Sequence, residues 1–279
     1  MINDELNKQV QACEIDILSQ IHQICKKYDL EYFGIGGTAL GAVRHQGFIP
    51  WDDDIDIGMP RQDYEKFLSV VGEELPEGYH VQNFQTEPKT PFYFTKIRRD
   101  GTLFVEHYLK DYDIHQGIFV DIFPFDHVPE KKWLANVHFR ICRILYQLFL
   151  AKSLKTVCSS RFGEKRTKKS IARKILHCIM ILVPKVWIYK LLDWNVRFFN
   201  RWDATEISHI TRRRLRVFLK DLYPIRYMKF DTIEMPVPND YDAYLKAQFG
   251  DYDALPPEDK RYGHLPYKVE LNIDGGQKS

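Results

Sequence analysis

The chain has 279 residues, 44% of them hydrophobic and 28% charged, and a formal net charge of +2. That length can bury a sizeable core, as one large domain or as a catalytic domain with a helical insertion. Five cysteines (13, 25, 142, 158 and 178) form no C-x-x-C pair, which argues against a zinc site or a disulfide framework and suits the reducing cytosol. The opening MINDELNKQVQACEID is acidic and polar, unlike a signal peptide.

Val10, Cys13, Ile17, Ile21 and Ile24 recur at helical spacing and predict an amphipathic helix that covers a sheet. Strand candidates follow at 31–35, 54–58, 79–84, 92–98, 102–106 and 117–123, with a helix at 61–71 beginning beside Pro60. The mixture reads as an α/β or α+β fold around a mixed sheet flanked by helices. From about 130 to 220 the pattern turns helical, with apolar runs broken by basic residues, and reads as an inserted lobe. The expected division is a catalytic core over 1–129, a helical lobe over 130–230, and a tail over 231–279 packing back on the core. A helix is expected near 239–249, in a tail with two proline clusters.

The chemistry concentrates in GGTALGAVRHQGFIPWDDDID (36–56). Asp52, Asp53, Asp54 and Asp56 lie within five positions, where they repel one another unless a cation reverses the local field. Asp54-Ile55-Asp56-Ile57 alternates as a half-buried strand does, so Asp54 and Asp56 project to one face as oxygen ligands for Mg²⁺, with Mn²⁺ as the alternative. Asp52 and Asp53 read equally well as a solvated turn, and the bland reading of the whole run is a surface turn with an adventitious cation. Gly36 and Gly37 let backbone N–H groups approach a phosphate, and Thr38 either donates to that phosphate or starts the following helical turn. Arg44 and His45 are candidate donor contacts. Lys96 and Arg98, two apart on a strand, form a candidate phosphate clamp, and ordinary salt bridging is the alternative for both pairs. In GIFVDIFPFD (117–126), Asp121 is the only polar residue of an apolar strand. It is therefore a candidate general base or further metal ligand, the alternative being a buried acid paired with a structural arginine. Asp126, after Pro124, reads as a turn or helix cap.

The run GGTALGAVRHQGFIPWDDDIDIGMPRQDYEKF (36–67) closely resembles the LicD family of phosphocholine transferases, which includes relatives of fukutin. The resemblance continues in KIRRDGT (96–102), GIFVDIFPFD (117–126) and FGDYDALPPEDKRYGH (249–264), and is weakest over 130–230. It implies a nucleotidyltransferase-like fold, magnesium held at Asp54 and Asp56, and transfer of phosphocholine or a related phospho-alcohol from a CDP-activated donor. The implied acceptor is a hydroxyl of a lipid-linked or nascent surface glycan, of the lipopolysaccharide or teichoic acid kind, and CMP is released. It also marks Lys260, Arg261 and His264 as substrate-proximal, where residue chemistry alone gives a solvated loop. Trp51 and Tyr252 are aromatic candidates for a choline cage, against ordinary core packing.

Segment 171–192, IARKILHCIMILVPKVWIYKLL, is too short and interrupted to span a bilayer. It reads either as a basic, Trp-bearing helix lying on the cytoplasmic leaflet or as a plain helical subdomain. The location expected is cytoplasmic, with a peripheral station on that leaflet, and no nucleic-acid recognition motif accompanies the charge. Two rivals stay open: a nucleotidyltransferase that attacks the α-phosphate of a nucleoside triphosphate, and a non-catalytic membrane-associated binding protein of the same fold.

Overall fold

The computed structural model describes residues 4–153, 180, 182–209, 215–263 and 266–272. Helix α1 (Asp4–Lys27) buries Val10, Ile17, Leu18, Ile21 and Ile24, with Asp4 and Glu5 in its first turn and Lys26 and Lys27 in its last, as the helix dipole favours. Strand β1 (Phe33–Gly34) leads into α2 (Gly36–His45), then β2 (Ile55–Pro60) and α3 (Arg61–Glu74). Strands β3 (Tyr79–Gln82), β4 (Thr95–Arg99), β5 (Leu103–Val105) and β6 (Phe119–His127) follow. Helices α4 (Lys132–Ser153) and α5 (Lys185–Val196) and a 3₁₀ turn at Arg197–Arg201 form the helical part. The remainder holds β7 (Glu206–Ser208), β8 (Arg216–Phe218), α6 (Leu219–Leu222), β9 (Arg226–Phe230), β10 (Ile233–Val237), α7 (Tyr241–Phe249) and β11 (Lys268–Glu270).

The main sheet runs β1-β2-β6-β4-β3, and β7 and β8 extend it beside the far end of β6. Only β2 and β6 pair in parallel among these strands; the rest are antiparallel. Alternation sorts the two faces. Ile55, Ile57 and Met59 of β2, with Val120 and Ile122 of β6, pack under α1 and α3. Phe123 and Phe125 point the other way, against Ala39 and Leu40 of α2 and Tyr244 and Leu245 of α7. The fold is thus a mixed α/β sheet with helices on both faces, as expected. A third cluster joins Phe139, Cys142 and Phe149 of α4 to Ile188, Leu192 and Val196 of α5.

The structure departs from expectation in four places. The 130–220 stretch is not wholly helical, since β7 and β8 lie within it; three-residue strands with a single inward residue, Ile207 or Val217, are too short to show a period. The aromatic run Phe92-Tyr93-Phe94 precedes β4 outside the strand, with Tyr93 and Phe94 in a bend, because aromatic residues mimic strand propensity when they pack in a core. Strand β5 leaves the main sheet and pairs with β11. Strand β6 continues through Pro124 to His127, so Asp126 is neither a turn nor a cap. Pro124 stands opposite Met59 of β2, and on the other edge of β6 it falls in the gap between β4, which pairs with 119–122, and β7, which pairs only from Asp126. Asp126 is fully buried and receives two hydrogen bonds from Arg61, at 2.8 and 2.7 Å. Of segment 171–192, residues 171–179 and 181 lie outside the described residues.

Candidate active site

The ladder register gathers the site. Asp56 of β2 stands opposite Asp121 of β6, and Asp121 stands opposite Lys96 of β4. Residues level on adjacent strands project to one face, so a carboxylate, a second carboxylate and an ammonium form one row across three strands. The row lies on the face that α2 covers, since its in-strand neighbours Ile55, Ile57, Val120 and Ile122 occupy the other.

Lys96 is 1% exposed, and its Nζ is 2.8 Å from Asp121 and 3.7 Å from Glu106. It also lies 3.3 Å above the Phe119 ring centroid. Asp121 is thus paired with a buried cation, a lysine where the sequence reading named an arginine. Burial raises the Asp121 carboxyl above its ordinary range, Lys96 opposes this, and Asp56 adds to it by like-charge repulsion. Arg98 is not on the open side of this row. Its guanidinium is 1% exposed and donates to Gln82 Oε1 and to the Gly117 carbonyl, both at 2.5 Å, which is a structural duty rather than a phosphate clamp.

Helix α2 begins above the row. Gly36 has φ +54°, a conformation that disfavours a side chain, and a Cβ on Gly37 would lie 2.6 Å from Asp52 Oδ2. The N-cap residue Ile35 contributes no capping side chain, so the first amides of α2 are not capped from that position. Thr38 Oγ1 accepts a hydrogen bond from the Asp56 N–H at 2.8 Å, fastening the helix to the acid-bearing strand. The Tyr244 hydroxyl of α7 is buried at this end, near Gly36 and Asp56.

Arg44 and His45 occupy the other end of α2, roughly 13 Å along its axis from Gly36. There Arg44 donates to the Tyr252 carbonyl at 2.6 Å and to His45 Nε2 at 3.0 Å. The His45 ring lies edge-on to Trp51, with centroids 6.5 Å apart, so this end of α2 meets the residue that precedes the acid loop. Tyr252 is buried and donates its hydroxyl to Asp242, while Trp51 already carries Arg261 5.5 Å from its ring centroid. Core packing accounts for the tyrosine.

The acid loop is held by helix α1 on one side and by the segment at Gly263 on the other. Asn7 and Gln11 of α1 donate to the Asp52 carbonyl at 3.2 and 2.9 Å. Gly263 sits so close to the Asp53 carboxylate that a Cβ there would collide with it. The tail is thus beside the acids, with Lys260 and Arg261 preceding the contact; His264 lies outside the described residues. Ligand atoms of Asp52, Asp53 and Asp54 lie within 4.8 Å of one another.

Sequence reasoning missed Glu14. It is 1% exposed on α1, its Oε2 has no hydrogen-bond partner, and burial followed by Asp54, Asp53, Asp52 and Asp121 raises its carboxyl well above the ordinary range. The signal was present, since Glu14 stands four residues after Val10 and three before Ile17, inside the apolar stripe.

The sheet and its row of charged side chains define an α/β protein with a candidate active site on one face of the sheet. Residues 29–144 match the LicD/FKTN/FKRP nucleotidyltransferase domain. The chain is 28% identical over 277 residues to the lipopolysaccharide cholinephosphotransferase LicD of Haemophilus influenzae, covering 93% of this chain and 95% of that one. Over 116 residues it is 32% identical to an uncharacterized protein of Rickettsia typhi, covering 42% and 35% of the two chains. It is 29% identical over 96 residues to the ribitol 5-phosphate transferase FKRP of Mus musculus, covering 34% of this chain and 17% of that protein. Through this domain the chain is similar to the LicD family, and it is a transferase.

Proposed function

We propose that the chain transfers phosphocholine, or a related phospho-alcohol, from a CDP-activated donor to a hydroxyl of a surface glycan precursor and releases CMP. The observation that carries this is the level row Asp56–Asp121–Lys96 beneath the glycine-opened start of α2. The relatives named for cholinephosphate and ribitol 5-phosphate transfer support the reaction class.

The residues fit a hard divalent cation. The donor set is carboxylate oxygen, and the close Asp52–Asp54 group beside the orphaned Glu14 Oε2 concentrates negative charge that such an ion offsets. Asp54 and Asp56 would hold Mg²⁺ or Mn²⁺; when bound, the ion neutralises the diphosphate and the departing CMP. Amides at Gly36 and Gly37 face the phosphate at the positive end of the α2 dipole. Asp121, kept in place by Lys96, accepts the acceptor's hydroxyl proton. The freed oxygen then bonds to the phosphorus bearing the alcohol as the bond from that phosphorus to the CMP oxygen breaks. We place the reaction on the cytoplasmic side, which the free thiols of Cys13, Cys25 and Cys142 suit.

The test offers purified protein a panel of CDP-alcohols, CTP and ATP with a glycan extract and magnesium. CMP should appear from one CDP-alcohol, stop on chelation, and be absent in Asp54→Ala. Pyrophosphate from a triphosphate, with the CDP panel silent, would replace this reading with α-phosphate attack.

A further inference from the structure

Helices α4 and α5 each carry two apolar faces. One packs inward, through Ala135, Phe139 and Cys142 on α4 and Ile188, Leu192 and Val196 on α5. The other points to solvent. On α4, Trp133, Val137, Ile141 and Ile144 recur at i, i+4, i+8 and i+11 and are 65, 44, 41 and 59% exposed. On α5, Trp187, Leu191 and Trp194 recur at i, i+4 and i+7 and are 68, 51 and 55% exposed. Both spacings fall on a single helical stripe. The α5 stripe continues through Phe198, 5.4 Å from Trp194, to Trp202, 5.5 Å further on, with Arg201 over both of these last rings. Four of the chain's five tryptophans therefore stand exposed on these two helices and the turn that follows them. A folded protein rarely leaves so much aromatic surface in water without a use for it.

We propose that this α4–α5 face docks in the interfacial layer of an anionic lipid bilayer, with both helices lying in its plane. Charge selects that occupant. Helix α4 carries Lys132, Arg140, Arg143 and Lys152 and no acid. Arg140 falls within the apolar stripe itself, where its stem covers apolar surface while the guanidinium reaches a headgroup phosphate. The chain that follows keeps the same sign, with nine Lys or Arg against one Glu over 152–174. A second copy of the protein would set these cations against themselves, whereas anionic headgroups complement them. Tryptophan is the side chain that prefers the headgroup boundary, being apolar over most of its area with one N–H to satisfy. None of the described helices is long and apolar enough to cross a membrane, so contact is in-plane. The membrane-facing element is thus a two-helix surface, wider than the single segment 171–192 that the sequence pointed to. This inference does not depend on the transferase reading.

Flotation of the full chain with phosphatidylcholine vesicles, with and without phosphatidylglycerol, tests it. Binding is expected only when the anionic lipid is present, with a blue shift of tryptophan emission. The double variant Trp187→Ser/Trp194→Ser should bind at least about tenfold more weakly, with unchanged circular dichroism and unchanged CMP release from soluble substrates. No flotation of the wild type would overturn the proposal. So would binding that the double variant retains in full, or a wild-type dimer that the double variant converts to monomer. Vesicle binding without any CDP-alcohol cleavage would leave the docking face standing and remove the transferase reading instead.

Discussion

Asp121→Asn lowers CMP release by roughly 10²–10⁴-fold, the range expected when a positioned proton acceptor is lost. The fold survives, because Lys96 keeps Glu106 at 3.7 Å as a second partner and the amide fills the same volume. Circular dichroism and thermal unfolding separate the two effects: a chain that melts near the wild-type temperature yet turns over slowly has lost chemistry. Undiminished turnover would reduce Asp121 to a counter-ion for Lys96. The companion Asp54→Ala change acts on a different step. It should abolish the response to added magnesium, whereas Asp121→Asn should leave magnesium binding, followed by calorimetry, largely in place.

Arg61→Ala should cost about 3–5 kcal/mol of stability, the penalty for leaving one member of a buried ion pair unpaired. Arg61 is 9% exposed and grips both oxygens of the fully buried Asp126, which also receives Asn200 Nδ2 at 2.6 Å. The three residues join the first turn of α3, the end of β6 and the 3₁₀ turn after α5, so the loss falls where the helical part meets the sheet. Urea unfolding measures it, and a midpoint corresponding to a loss below about 1 kcal/mol would contradict the assignment. Lysine at 61 should restore little, because a single ammonium cannot reproduce the two-pronged contact. The exposed Lys27–Glu74 pair offers a control whose removal should matter far less.

What the sequence disclosed depended on whether a feature is local. Helices α1, α3 and α7 and strand β2 follow from residue period, because each buries one face along its own length. Asp54, Asp56 and Asp121 stand out as acids among apolar neighbours for the same reason. Partnership is another matter. That Lys96 faces Asp121 while Arg98 turns to Gln82 depends on the β4–β6 and β3–β4 registers, which no single strand encodes. Arg44 and His45 look close to the acids along the chain, yet a helix of ten residues carries them to its other end. Strands β7, β8 and β11 each have three residues, too few to reveal alternation, and they exist because neighbouring strands supply their hydrogen bonds. Glu14 went unread because an apolar stripe invites the eye to pass over its one charged member.

The loop bearing Asp52, Asp53 and Asp54 is seated by Asn7 and Gln11 from the first helix and by Gly263 from the tail. All three catalytic candidates lie within the span matched by the family domain, but Asn7, Gln11 and Gly263, which seat this loop, do not. On the ribosome, the acids emerge early and then wait through more than half of the chain for Gly263 to arrive. A nascent enzyme therefore holds its acids before it can fix their loop, and competence waits on the arrival of Gly263.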